Sequence, residues 1–410
     1  MKGNRALLLA IACLLLSPLT KALADEIDDL GAAITSGKVG VNVRARYERV
    51  DQDNISDEAD AATARLRLNY RTGLWNGWSG FAEYDHVFHM LDDFNSGGGT
   101  SPGKGQYPVV ADPDGSDLNQ LYLDYQANDA TKVRVGRQRI LLDNQRFVGG
   151  VGWRQNEQTY DALTVSSKAI SKTNLSYSFV TYVRRIFGEG APVPNSKTNV
   201  DAHLLNAKIA LNENWSLTPY YYYIDNQDIV GFSTGTAGAR LSGGFKSGDN
   251  KISLVAELAT QSDVADNPVS YDAEYARLDG TIAFAGGLSL GLSYEVLGGD
   301  NEPGKMFRTP LATLHAFQGW ADKFLATPDG GIEDLFATVK YKVGKWNLTG
   351  VYHDFSAETG GGDYGTEFDL SAGTKLGQNY DVLFKGAFFS SDSASFQDTD
   401  KFWIMFTANY

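Results

Sequence analysis

The residues best suited to chemistry in this sequence are arginines. Between Val133 and Asp161 (VRVGRQRILLDNQRFVGGVGWRQNEQTYD), a short alternating segment carrying Arg134 runs into a glycine-rich stretch with Arg137, Arg139, Arg146 and Arg154. Asp143 and Asp161 lie beside them. A guanidinium fork matches a carboxylate in bidentate geometry, so such a stretch suits weak capture of anions, with the two aspartates fixing the arginines by charge-assisted bonds. Upstream, Arg44, Arg46, Arg65, Arg67 and Arg71 recur with a spacing of two, which places them on one face of two neighbouring strands. Like charges opposite one another are destabilising. Glu48, Glu83 and Asp85, on the same face of the first and third strands, can offset them, as can water or an anionic solute. Two readings follow: an internal salt-bridge lattice that stiffens a wall, or a solute path that uses the same charges.

Other constellations carry less. Asp112, Asp114 and Asp117 have oxygen ligands spaced as in some calcium loops, but the downstream bidentate glutamate is missing, and an acidic surface turn is the plainer reading. His86 and His89, three apart on a strand, point to opposite faces and cannot share a metal. No histidine sits in a nucleophile motif, and Gly97–Gly99 and Gly360–Gly362 have no helix after them to cradle a phosphate, so the sequence reads as neither an enzyme nor a cofactor protein. A net charge of −14 argues against nucleic acid as a partner.

The elements that must position the arginines are strands. With 44 glycines, 21 tyrosines and 21 phenylalanines in 410 residues, the composition suits many short strands. Val39, Val41, Val43, Ala45 and Tyr47 alternate with polar residues, as do Ala64, Leu66, Leu68 and Tyr70. Similar segments follow at 78–90, 118–127, 132–139, 158–167, 173–184, 202–211, 215–224, 236–246, 251–261, 271–284, 288–297, 334–343, 346–354, 365–375, 380–389 and 401–410. Short turns such as Asn76-Gly77, Gly286-Gly287 and Gly344-Lys345 alternate with long connections such as 91–117, 140–157 and 298–333. About eighteen strands with that rhythm predict an all-β, transmembrane antiparallel β-barrel with short periplasmic turns and long extracellular loops, in the bacterial outer membrane. Trp75, Trp78, Trp215, Tyr220 to Tyr223 and Trp346 are expected in its interfacial girdles. The C-terminal strand KFWIMFTANY, with an aromatic last residue, is of the kind that barrel-assembly machinery reads. Residues 1–24 read as a signal peptide, with Lys2 and Arg5 before an apolar run that contains the single cysteine, Cys13, a poor lipidation site. Residues 25–37 then form a short periplasmic segment able to hold one helix, and 38–410 the barrel.

One feature of the central stretch is awkward. If Val133 and Val135 face lipid, strict alternation sends Arg137 and Arg139 there too, at about 2–4 kcal/mol each near the midplane. A bulge at Gly136 or an early strand end is therefore expected to turn them inward, with 140–157 folding into the lumen or capping it. The alternative is an outer loop lying on the rim.

Gly136-Arg137-Gln138, Asp143, Gln145-Arg146-Phe147, Trp153-Arg154-Gln155 and Tyr160-Asp161 resemble the central motif of the alginate-export family of outer-membrane channels. Gly37-Lys38 followed by Arg44-Ala45-Arg46-Tyr47-Glu48 is similar to that family's first strand. The resemblance implies an eighteen-stranded barrel with an arginine-rich constriction for an anionic polyuronate. The sequence is accordingly expected to form a passive channel for an anionic polysaccharide or small sugar-acid solute, in contact with outer-membrane lipid. A general porin with little solute preference is the alternative.

Overall fold

A computed structural model of the chain describes residues 29–410, so the expected signal peptide and Cys13 lie outside the described residues. A six-residue helix, α1 (Leu30–Thr35), capped by the Asp29 side chain on the Gly31 amide, precedes the barrel. The Tyr70 hydroxyl ties it to the wall by donating to the Ile34 carbonyl.

Eighteen strands follow: β1 (Lys38–Gln52), β2 (Ala59–Arg71), β3 (Trp78–Asp93), β4 (Gly115–Asn128), β5 (Thr131–Gln138) and β6 (Thr159–Ser167). Next come β7 (Thr173–Arg184), β8 (Lys197–Ala210), β9 (Trp215–Asn226), β10 (Thr234–Ser247), β11 (Asn250–Asp263) and β12 (Asp272–Ala283). The last six are β13 (Leu288–Leu297), β14 (Ile332–Val343), β15 (Trp346–Ser356), β16 (Asp363–Leu376), β17 (Tyr380–Ser391) and β18 (Thr399–Asn409). Each pairs antiparallel with its sequence neighbours, and β1 pairs with β18 from Asn42↔Asn409 to Gln52↔Thr399. Every strand backbone is thereby satisfied without an open edge, which a hydrocarbon environment demands. No described helix is long and apolar enough to cross a membrane; the strands do so.

Alternation sorts the side chains. Leu121, Leu123, Val135, Leu258, Leu292 and Ile404 stand exposed on the outer face, while Arg46, Glu48, Asp85, Gln120, Glu257 and Glu295 are buried inside. The interior is thus a polar lumen that other parts of the chain fill. Trp78 and Trp346 lie exposed near the short-turn end, as girdle residues do. Tyr220 and Tyr222 correct the girdle expectation, because both point into the lumen, stacked at 4.9 Å.

Strand β5 settles the awkward alternation by an early end at Gln138, the second of the two expected routes, and not by a bulge. Its pairing with β6 runs without a register shift from Thr131↔Ser167 to Gln138↔Tyr160, so there is no bulge at Gly136. The glycine is needed for another reason: its φ is +123° and an added Cβ would lie 2.3 Å from the Leu121 carbonyl oxygen. Gly136→Ala is expected to cost about 1–3 kcal/mol in strain, seen as an earlier transition when the folded barrel is titrated with denaturant.

Candidate functional site

Three long loops on one end of the barrel, 94–114, 139–158 and 298–331, send side chains into the lumen. The innermost contact is made by Gln155. Its Oε1 accepts from Arg44 Nε at 3.0 Å and its Nε2 donates to Thr63 Oγ1 at 2.9 Å, so the side chain spans β1 and β2. Arg44 also donates to the Gly152 carbonyl at 2.9 Å and to that of Arg154. Arg65, directly opposite Arg44 in the β1–β2 register, donates to the Gln155 carbonyl at 3.0 Å and to Asn42 Oδ1 at 2.6 Å. Among the described residues, these two facing guanidiniums are therefore held by neutral oxygens alone, without a carboxylate in ion-pair contact.

A lattice of carboxylates surrounds them. Asp112, fully buried, binds Arg46, accepts the Gln155 amide at 2.7 Å and lies 3.8 Å from Arg154. Arg154 reaches Glu48 at 3.0 Å and Asp322 at 3.2 Å. Arg67 grips Asp85 through a bidentate pair of 2.7 and 2.6 Å and Glu157 at 2.6 Å, and Arg139 joins Glu157 to Glu83, the latter at 2.6 Å. Burial alone would push the loop carboxyls up. The Arg67 and Arg139 guanidiniums overcome it at Glu157 and hold that group at about 2, and Arg46 with Arg154 keeps Asp112 below the ordinary value.

The far side of the lumen is tied in the same way. Arg146 crosses to Glu295 on β13 at 2.9 Å and to Gln318 at 2.9 Å, while Phe147 packs at 5.4 Å from Tyr220 and 5.0 Å from Tyr275. From the 298–331 loop, His315 Nδ1 meets Asp322 at 2.7 Å and Lys401 meets the same aspartate at 2.9 Å. Lys385 Nζ lies 2.6 Å from His315 Nε2, over the rings of Trp320 at 3.7 Å and Trp153 at 4.3 Å. Burial drives the His315 imidazole down to about 3 against the pull of Asp322, so it is neutral at ordinary pH.

Residues 36–289, more than half of the sequence, match the alginate export family. The chain belongs to the alginate export family. It is a porin-like channel chain of the bacterial outer membrane, bounded by outer-membrane lipid and built for small-solute passage. No curated protein matches it. Solved structures share its fold: Acinetobacter baumannii OccAB2 at 15% identity and a TM-score of 0.73, over 93% of this chain and 99% of that one. Pseudomonas aeruginosa OccK9 (OpdG) is similar at 15% identity and 0.72, over 92% and 100%, and P. aeruginosa OccK8 (OprE) at 14% and 0.70, over 92% and 99%.

In this alginate-export barrel, Arg44, Arg46, Arg65 and Arg67 project into the lumen from β1 and β2, and Arg139, Arg146 and Arg154 enter it from the 139–158 loop. Strand β5 ends at Gln138, and it is this early end that turns Arg139 inward. Arg137 does not turn. It keeps the parity of Val135 and pairs on the outer side with Asp161, directly opposite it in β6, at 3.0 Å, next to Arg184 and Glu189. Near the rim those acids and the adjoining loop replace what lipid would not supply. Arg71 and Arg134 sit apart, sharing Asp124 at 3.4 and 2.7 Å towards the short turns, Arg134 lying 3.8 Å over Tyr122. Asp143 fixes no arginine; it accepts from Asn206 at 2.7 Å. The loop 139–158 is inside the barrel, not on the rim.

The calcium reading fails on the direction of one side chain. Asp112 is turned into the arginines, while Asp117 accepts the Glu189 amide at 3.1 Å, and no group of three or more His, Cys, Asp or Glu able to hold a metal occurs among the described residues. His89 is inward, its Nε2 2.8 Å from the Asp112 carbonyl, and His86 is outward, as alternation requires. The sequence reading missed Glu157, Glu295, Asp322, His315 and Lys385. Glu295 had a usable signal, the one charged residue of its strand, at an inward position; the loop residues had none, because their partners lie on distant strands.

Proposed function

We propose that the channel passes anionic or sugar-acid solutes, with the arginine cluster beneath the 139–158 loop setting its preference. The observation that carries this reading is the Arg44–Arg65 pair: two facing guanidiniums without a carboxylate partner among the described residues leave a local positive charge beside Arg46, Arg67, Arg139 and Arg154, which are each paired with acids. That charge draws a carboxylate towards the loop that covers it, and the acids of the lattice keep the attraction weak enough for release. Arg139, Arg67 and Glu157 extend the charged surface. Arg71 and Arg134, with one aspartate between them, offer a second basic step near the short turns. In this reading the chain is a passive conduit without catalysis, carried to its membrane by a signal at 1–24 and folded there with barrel-assembly machinery.

The purified protein in a planar bilayer under a potassium chloride gradient is expected to show a reversal potential of anion sign. The double variant Arg44→Gln, Arg65→Gln should move it towards zero; an unchanged potential would remove these residues from the selectivity element. The lattice itself favours a second reading, a general porin, since most cations in it are matched by acids. Liposome swelling separates the two: uronates entering faster than neutral sugars of equal size support the first, and equal rates the second.

A further inference from the structure

Two arginines stand outside the lattice. Arg185 follows β7 and Arg308 lies in the 298–331 loop. The Nε of each is buried without a partner, and among the described residues neither guanidinium makes an ion pair or hydrogen bond. Both line one cavity of about 130 Å³ on the long-loop side, walled otherwise by Phe232, Met306, Leu314 and Leu325 among mainly apolar neighbours, with no acidic residue in the lining. The Arg308 guanidinium lies 5.4 Å over the Phe232 ring. Burial lowers the Arg185 guanidinium from its ordinary value, its Nε being shut off from water without a partner.

We propose that this cavity binds a small dicarboxylate whose two carboxylates are joined by an apolar body the size of one ring. The space is comparable to the roughly 150 Å³ engineered cavity that holds a benzene molecule. Two uncompensated guanidiniums call for two negative charges, and a monocarboxylate leaves one of them unpaired. The apolar walls give a hydroxyl-rich uronate too few hydrogen-bond partners to repay its desolvation. The site therefore goes beyond the anion path: a channel with no ion preference could carry it, and an anion-selective one could lack it.

The test is isothermal titration of the detergent-solubilised full chain with isophthalate, benzoate, benzamide and galacturonate. Isophthalate is expected to bind, benzoate about tenfold or more weaker, the other two not measurably. Arg185→Gln and Arg308→Gln should each weaken isophthalate by about tenfold or more, with the folded barrel checked by its heat-shifted electrophoretic mobility. Glu189→Gln, outside the lining, should leave it unchanged. Absence of isophthalate binding, benzoate binding as tightly, or folded arginine variants that bind like the parent would each overturn the site. The reversal potential of the parent, read separately, bears only on the anion path.

Discussion

Replacing Asp112 by alanine is expected to open the channel. The carboxylate is the meeting point of Arg46, Arg154 and the Gln155 amide, and its loss leaves the four guanidiniums of Arg44, Arg46, Arg65 and Arg154 in one dry cluster with only Glu48 and Asp322 to offset them. Removing one member of a buried ion pair costs about 3–5 kcal/mol because the partner charge stays uncompensated. Here a cheaper relaxation exists, since the 139–158 loop can withdraw and let water reach the arginines. The expected result is a larger single-channel conductance with the barrel still folded. Asp112→Asn keeps the acceptor for the Gln155 amide but not the charge, and should give the same sign with a smaller change. If both variants conduct like the parent, the lattice does not hold the loop.

Acid should release the same loop. Glu157 is held at about 2, against an ordinary 4.5. Because the folded value lies below the unfolded one, its contribution is present in full above pH 4.5 and is lost as the pH falls towards 2. The difference corresponds to about 3 kcal/mol. His315, depressed from 6.5 to about 3, adds a loss of the same sign that begins below pH 6.5, since an exposed imidazole would take up the proton that the buried one refuses. Conductance and proteolytic sensitivity of the 139–158 segment should therefore both rise between pH 6.5 and pH 3. Glu157→Gln should flatten the part of that rise below pH 4.5 and leave the part above it. A parent protein whose loop stays protected at pH 3 would show that these two groups do not govern docking.

The strands were legible because the environment imposes a period of two: each wall residue faces either hydrocarbon or the polar interior, so Arg44, Arg46, Arg65 and Arg67 declared their side from spacing alone. The loops obey no such period. Asp112 meets Arg46 across 66 residues and Arg146 meets Gln318 across 172, and nothing local marks either partner. Arg137 was misjudged for a definable reason. The cost of an outward arginine assumes bare lipid, and at the rim Asp161 and Glu189 remove that condition. Lys385 was hidden because its surroundings, Trp153, Trp320 and His315, come from two different loops.

The line Glu48–Arg154–Asp322–Lys401 has one further consequence. Glu48 belongs to β1 and Lys401 to β18, the two strands whose pairing closes the cylinder, and the two loop residues between them bridge that seam from within. β1 and β18 are also the most distant strands in the chain, so their junction closes the longest loop of any strand pair. A clasp laid across it ties that junction to two loops that must let go before it can part. Sealing the barrel and filling its lumen are, at this junction, a single act.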